Sequence, residues 1–160
     1  MYKRQAPALP PLELAPLTDG VIRRSSGEGT DPLAGTLSVQ GVVVRADREG
    51  RFDDVVGPGF QLIVAAGDPR ERLCAEHRAL IDTLAISVAS LDPDARDGVR
   101  DLDGRLSAWL AEHGAHGVIV RPDFYTFGSA RSSDELPALL DDLRSQLHLT
   151  PTTATAGALR

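Results

Sequence analysis

The chain has one cysteine, Cys74, in 160 residues. No internal disulfide can form, and there is no Cys-x-x-Cys pair. That fits a reducing compartment. No apolar run approaches the roughly 18 to 20 residues of a membrane span. The N-terminus lacks the apolar segment of a secretory signal. Positive charge is also short: 17 Lys and Arg face 23 Asp and Glu, for a net charge of -6. Binding a phosphate backbone needs clustered Lys and Arg, so nucleic acid is excluded as the main partner. The expected location is the cytoplasm. Aromatics are few: 4 Phe, 2 Tyr and 1 Trp. Phe124, Tyr125 and Phe127 therefore stand out as a cluster, read either as core closure or as an interface patch.

What remains is an ordinary globular composition, 42% hydrophobic and 25% charged. It supports a packed core in one domain with arms. Residues 1–5 (Met1-Tyr2-Lys3-Arg4-Gln5) resemble a translated sequencing adapter, so they read as an artefact and the natural chain is expected to continue upstream. Residues 6–35 are rich in Pro, Gly and Ser and read as an extended arm that packs on something. Residues 150–160 are Thr/Ala-rich and read as a frayed, disordered tail. The domain proper is expected over residues 36–149.

Within that domain the spacing predicts a strand over 36–44, a polar turn at 47–50 and an apolar strand over 60–65. Asp68-Pro69-Arg70-Glu71 carries a helix-opening pattern: a cap, a first-position proline and a capping-box acid. Leu73, His77, Leu80, Ile81 and Leu84 form the inner face of that helix. A strand over 85–89, a polar crossing over 93–100 and a helix over 102–113 follow. In that helix Leu102, Leu106, Trp109 and Leu110 share the inner face, and the last three read as core. A strand over 118–121 turns at Pro122-Asp123 into a second strand over 125–127. Ser132 and Glu135 predict a capping box before a final helix, whose stripe is Leu136, Leu139, Leu140, Leu143 and Leu147. From the strand over 60–65 onward the order β-α-β-α-β-β-α is thioredoxin-like, an α/β fold.

No redox or metal chemistry is visible. A thioredoxin-type thiolate sits at the start of the first helix, where free amides stabilise it. That position reads Gly67-Asp68-Pro69-Arg70, and Cys74 reads as a structural thiol more than a turn inside the helix. His77 is alone on its helix, and His113 and His116 flank a helix end. Asp53 and Asp54 are adjacent; on extended chain they diverge, so a loop lock is read, with one carboxylate holding amides of the Val55-Val56-Gly57-Pro58-Gly59 loop. Gly57 and Gly59 suit a close approach before Phe60. In Arg121-Pro122-Asp123, Arg121 reads as pairing locally or with a neighbouring domain.

Taken together, these motifs resemble the C-terminal domain of FAD-dependent aromatic-ring monooxygenases, above all the 3-(3-hydroxyphenyl)propionate hydroxylase group. The residues that carry the resemblance start with Pro10-Pro11-Leu12 to Gly20 and Ala34-Gly35-Thr36-Leu37 to Gln40. They continue with Asp53 to Phe60, then Asp101 or Asp103 with Gly104, Leu106 and Trp109-Leu110, and then Val120 to Asp123. The resemblance implies a parent flavoprotein that uses FAD, NAD(P)H and O2 to hydroxylate a phenol. It places all of that chemistry on N-terminal FAD and substrate domains outside this chain. It implies no catalytic, cofactor-binding or metal residue here, and a role in domain packing or homo-dimerisation. The alternative is a stand-alone, redox-inactive thioredoxin-fold interaction module. A thiol reductase or peroxidase using Cys74 is a third, weaker reading.

Overall fold

The computed structural model describes residues 14–24 and 29–150. Residues 1–5, the start of the arm with Pro10-Pro11-Leu12, and 151–160 of the tail lie outside them. The order is β1 (Val42–Arg45), β2 (Arg48–Arg51), α1 (Phe52–Val56), β3 (Gln61–Val64), α2 (Ala75–Thr83) and β4 (Ser87–Ser90). It continues with β5 (Arg100–Asp101), α3 (Arg105–Glu112), β6 (Gly117–Val120), β7 (Thr126–Ala130) and α4 (Leu136–Gln146).

The main sheet has the strand order β4-β3-β6-β7. β3 and β4 are parallel, with α2 as the crossover, while β6 runs antiparallel to β3 and β7 antiparallel to β6. This is the expected βαβ unit, hairpin and closing helix. All of β3 is buried, because both faces of the sheet are covered, and a strand covered twice reads as a continuous apolar run. Alternation still sorts its side chains. Leu62 and Val64 join Leu80, Ile81, Leu139, Leu140 and Leu143 on the side of α2 and α4. Ile63 joins Val118, Leu106, Trp109 and Leu110 on the side of α3.

A second, three-stranded sheet, β2-β1-β5, was not expected. Residues 47–50 read as a turn, yet Arg48–Arg51 pair with Val42–Arg45 in antiparallel register. Those residues are polar and mostly exposed, so no apolar alternation announces a strand; pairing with β1 alone makes it one. The strand expected over 36–44 contracts to Val42–Arg45, and Leu37 forms only an isolated bridge to Tyr125.

The helix expected from Asp68 is broken. The Asp68 carboxylate accepts from Arg70 N at 2.9 Å and caps only a 3-10 turn, Pro69–Arg72. Leu73 is then extended and buried, and α2 begins after Cys74. The Arg78 guanidinium folds back onto the Leu73 carbonyl at 2.8 and 3.1 Å. That satisfies a polar group the break leaves bare and lets Leu73 reach the core. Before α4, the expected capping box does not form: Ser132 makes no side-chain cap bond, and Glu135 Oε2 accepts at 2.8 Å from Arg131 N, one residue before the cap. The third helix starts later than expected: Leu102 lies before α3 and is 45% exposed. The Asp101 carboxylate accepts from Ser107 N and Oγ at 2.8 and 2.9 Å and the helix opens only at Arg105, so Leu106, Trp109 and Leu110 alone of the expected face reach the core.

The described part of the arm packs on its own domain. Arg23 N donates to Phe127 O at 2.7 Å and Gly35 N to Thr126 O at 2.8 Å. The Asp31 carboxylate accepts from Ser129 N and Oγ at 2.5 and 2.7 Å. Ile22 and Leu33 are buried. These bonds cover β7, which would otherwise offer a bare edge to other chains.

The cleft between the two motifs

A cleft of about 420 Å³ opens where α1 and the loop after it meet the β6–β7 turn. Asp53, Asp54, Gly57, Pro58, Gly59 and Gln61 form one wall and Pro122 and Phe124 the other, and Arg48 also lines the cleft. Sequence motifs about sixty residues apart thus share one surface.

The first wall corrects the reading of the acid pair. Asp53 and Asp54 lie on a helix, not on extended chain, so they diverge by about 100° instead of 180°. Asp53 Oδ1 accepts only from Asp54 N, at 3.1 Å. The loop is held by other groups. Gly57 N donates to Asp53 O at 3.0 Å, and Gln61 Nε2 donates to Gly57 O at 2.8 Å. Gly57 and Gly59 both have positive φ, +113° and +97°. Phe60 is half-buried against the α2/α4 core. Sequence reasoning missed Gln61; the signal was a polar residue inside an apolar run, and it is buried because its amide serves the loop.

The second wall is a short hairpin turn. Phe124 N donates to Arg121 O at 3.0 Å, and Arg121 N to Tyr125 O at 2.8 Å. Arg121 Nη2 reaches Asp123 Oδ2 at 2.6 Å, and its Nη1 reaches the Val21 carbonyl of the arm at 3.0 Å. Arg121 therefore pairs locally. The aromatic cluster divides. Phe127 is fully buried and belongs to the core, Tyr125 is half-buried, and Phe124 is 42% exposed. Phe124 also holds φ at +66°, a left-handed position where a side chain costs roughly 1 to 2 kcal/mol.

The cleft is lined by carboxylates, an arginine, an amide and an aromatic ring. None of these lining residues is a hydroxyl, thiol or imidazole. A flavin does not fit it. Asp53 and Asp54 would face a diphosphate, and the glycines precede a strand, not the helix N-terminus that receives phosphate. Among the described residues no group of three or more His, Cys, Asp or Glu is placed to hold a metal ion. No described helix is long and apolar enough to cross a membrane.

Cys74 does not lie inside the first helix; it is the residue immediately before α2 and is exposed. His77 is not alone either. Its Nδ1 is 3.1 Å from Cys74 Sγ, and its Nε2 is 3.2 Å from Asp141 Oδ1 on α4.

The sheet order, the parallel crossover, the hairpin and the closing helix define a thioredoxin-like domain lacking a Cys-x-x-Cys pair. Residues 35–146 match the family described as the HcaD C-terminal domain, and the chain belongs to that family. It is 32% identical over 126 residues to a probable NADH-specific resorcinol 4-hydroxylase of Rhodococcus jostii, covering 76% of this chain and 24% of that protein. It is 32% identical over 112 residues to a 3-(3-hydroxy-phenyl)propionate/3-hydroxycinnamic acid hydroxylase of Burkholderia cenocepacia, covering 61% of this chain and 21% of that protein. Among solved structures, the fold is shared with the flavin-dependent monooxygenase PieE, crystallised with FAD and substrate. The TM-score is 0.58 at 20% identity, over 86% of this chain and 26% of that one. It is also shared with aklavinone-11 hydroxylase in complex with FAD and aklavinone, with a TM-score of 0.54 at 18% identity, over 83% of this chain and 26% of that one. The chain thus spans about a quarter of the relatives it matches.

Proposed function

We propose that this chain is the C-terminal domain of a cytoplasmic, flavin-dependent aromatic hydroxylase. The parent protein uses FAD, NAD(P)H and O2 to hydroxylate a phenolic substrate on polypeptide outside this chain. The role of this domain is to pack against the FAD and substrate domains. One observation carries the interface role: the two motifs line one cleft, and Phe124 presents an exposed aromatic ring there from a strained backbone. Strain kept at an exposed position points to a function outside the isolated fold. Asp53, Asp54, Gly57, Gly59, Phe60, Arg121, Pro122 and Asp123 shape that surface, with Phe124 as its contact residue.

The upstream reading frame tests this reading first. It is expected to continue into a Gly-x-Gly-x-x-Gly flavin-binding segment; a stop codon just before Met1 would sink the proposal. The chain alone is expected to be colourless and to leave FAD fluorescence unchanged on titration. Flavin retained through gel filtration would count against it.

Phe124→Gly separates interface from fold. Relief of the left-handed strain offsets the lost packing, so the melting temperature of the chain is not expected to fall. In the full-length protein the same change is expected to weaken domain docking, read as faster proteolytic release of this domain. A lowered melting temperature with unchanged release would assign Phe124 to the core instead.

The stand-alone interaction module is favoured by one observation, the packing of the arm on its own sheet. In that reading the chain runs as a compact monomer with a protease-resistant arm, and no polypeptide precedes it in the genome.

A further inference from the structure

Cys74, His77 and Asp141 form a relay away from the cleft. Cys74 stands at the start of the nine-residue helix α2 and is exposed. Its Sγ lies 3.1 Å from His77 Nδ1. The His77 side chain is only 10% exposed, and its Nε2 lies 3.2 Å from Asp141 Oδ1. A carboxylate can only accept, so Nε2 carries the ring hydrogen and Nδ1 is left to accept from the thiol. Asp141 is itself held by Arg144 Nη2 at 2.6 Å, and Arg144 Nη1 also reaches Glu76 Oε2 at 3.5 Å. The ring therefore has a fixed tautomer and orientation. A nucleophile, a base and a group that orients the base are in one line, with the nucleophile at the surface.

We propose that Cys74 is a modification site that takes small disulfides, of the class formed by oxidised low-molecular-weight thiols. This inference is independent of the proposed hydroxylase role. The Cys74 proton passes to His77 Nδ1, and Sγ attacks one sulfur of the disulfide. The S–S bond breaks as the new Sγ–S bond forms, and the departing thiolate takes the proton from Nδ1. The products are a mixed disulfide on Cys74, which is oxidised, and one free small thiol, which is reduced. The chain has no second cysteine to displace the adduct, so the modification persists until an external thiol reverses it. Cys74 is the nucleophile, His77 the base, and Asp141 a positioning residue.

The test uses the 160-residue chain, where labelling is unambiguous because Cys74 is its single cysteine. Reaction with dithiodipyridine at neutral pH is followed by release of the thiopyridone. The native chain is expected to react roughly 10-fold faster than the same chain unfolded in urea, with free cysteine correcting for solvent. His77→Gln is expected to remove roughly 10-fold of that rate and Asp141→Asn a smaller part, with melting temperatures recorded alongside. Oxidised glutathione is expected to give one adduct, on Cys74, reversed by dithiothreitol. A native rate no faster than the unfolded one overturns the proposal even if neither variant folds. So does a folded His77→Gln chain that reacts as fast as the parent; in either case the contact merely satisfies a buried imidazole.

Discussion

Phe127→Ala is expected to lower the stability of the chain by roughly 3 to 5 kcal/mol, the usual range for deleting a buried aromatic ring. Phe127 is fully buried in the cluster that joins the main sheet to α2 and α4. Leu136, Leu139, Leu140 and Leu143 are fully buried in the same cluster, so the space left by the ring is walled by packed side chains that cannot simply collapse into it. The backbone of Phe127 also receives the arm, through Arg23 N. Chemical denaturation measures the change, and a melting temperature lowered by roughly 10 °C accompanies it. The contrast with Phe124 makes the result informative, because the two residues are three apart in sequence. A loss below about 1 kcal/mol at Phe127 would mean that the cluster tolerates a cavity and is not the tightly packed layer described here.

Arg23→Ala is expected to cost roughly 2 to 3 kcal/mol and to release the arm. The Arg23 guanidinium is almost wholly buried, with Nε 2.7 Å from Asp142 Oδ2 and Nη1 2.5 Å from the Ser129 carbonyl. Its stem lies over Gly128, where an added Cβ would come within 2.6 Å of Arg23 Cβ. Truncation removes the partner of a carbonyl that the arm has shielded from water, and that accounts for most of the cost. The Asp142 part is smaller, because its side chain is 43% exposed and stays hydrated. Gly128→Ala, which crowds the same stem, is expected to act in the same direction. Limited proteolysis reads the outcome as earlier cleavage within residues 14–35. An arm equally protected in Arg23→Ala would show that Asp31 and the main-chain bonds hold it without the guanidinium.

Much of the fold is legible along the chain. The apolar run at β3 and the stripe Leu136, Leu139, Leu140 and Leu143 placed their elements directly, because burial on two faces or on one leaves its own spacing. Pro122-Asp123 announced the hairpin, because proline fixes φ and aspartate accepts local amides. The misses share a cause. β2 consists of Arg48, Glu49, Gly50 and Arg51, residues with no preference for a strand, and only the neighbouring β1 makes them one. The break at Leu73 and Cys74 runs against a good helix-opening pattern; the core's claim on Leu73 outweighed it. Asp53 and Asp54 were read on extended chain because five residues are too few for a helical period to show.

The candidate sites were legible in pieces. Both walls of the cleft were marked by their glycines, prolines and acids, yet nothing in either motif says that they meet. Cys74 and His77 stand three apart, a spacing open to view. Asp141 lies sixty-four positions further on and reaches the imidazole only because α4 packs beside α2. The sequence by itself determined the absence of a Cys-x-x-Cys pair, the order of the core elements and the residues that fill the interior. Composition and periodicity are local, and burial imprints them. Tertiary structure alone decided that the arm covers β7, that two distant motifs share a cleft, and that a thiol, an imidazole and a carboxylate fall in line. Those are contacts between residues far apart in the chain, set by which faces pack together, and no local pattern records them.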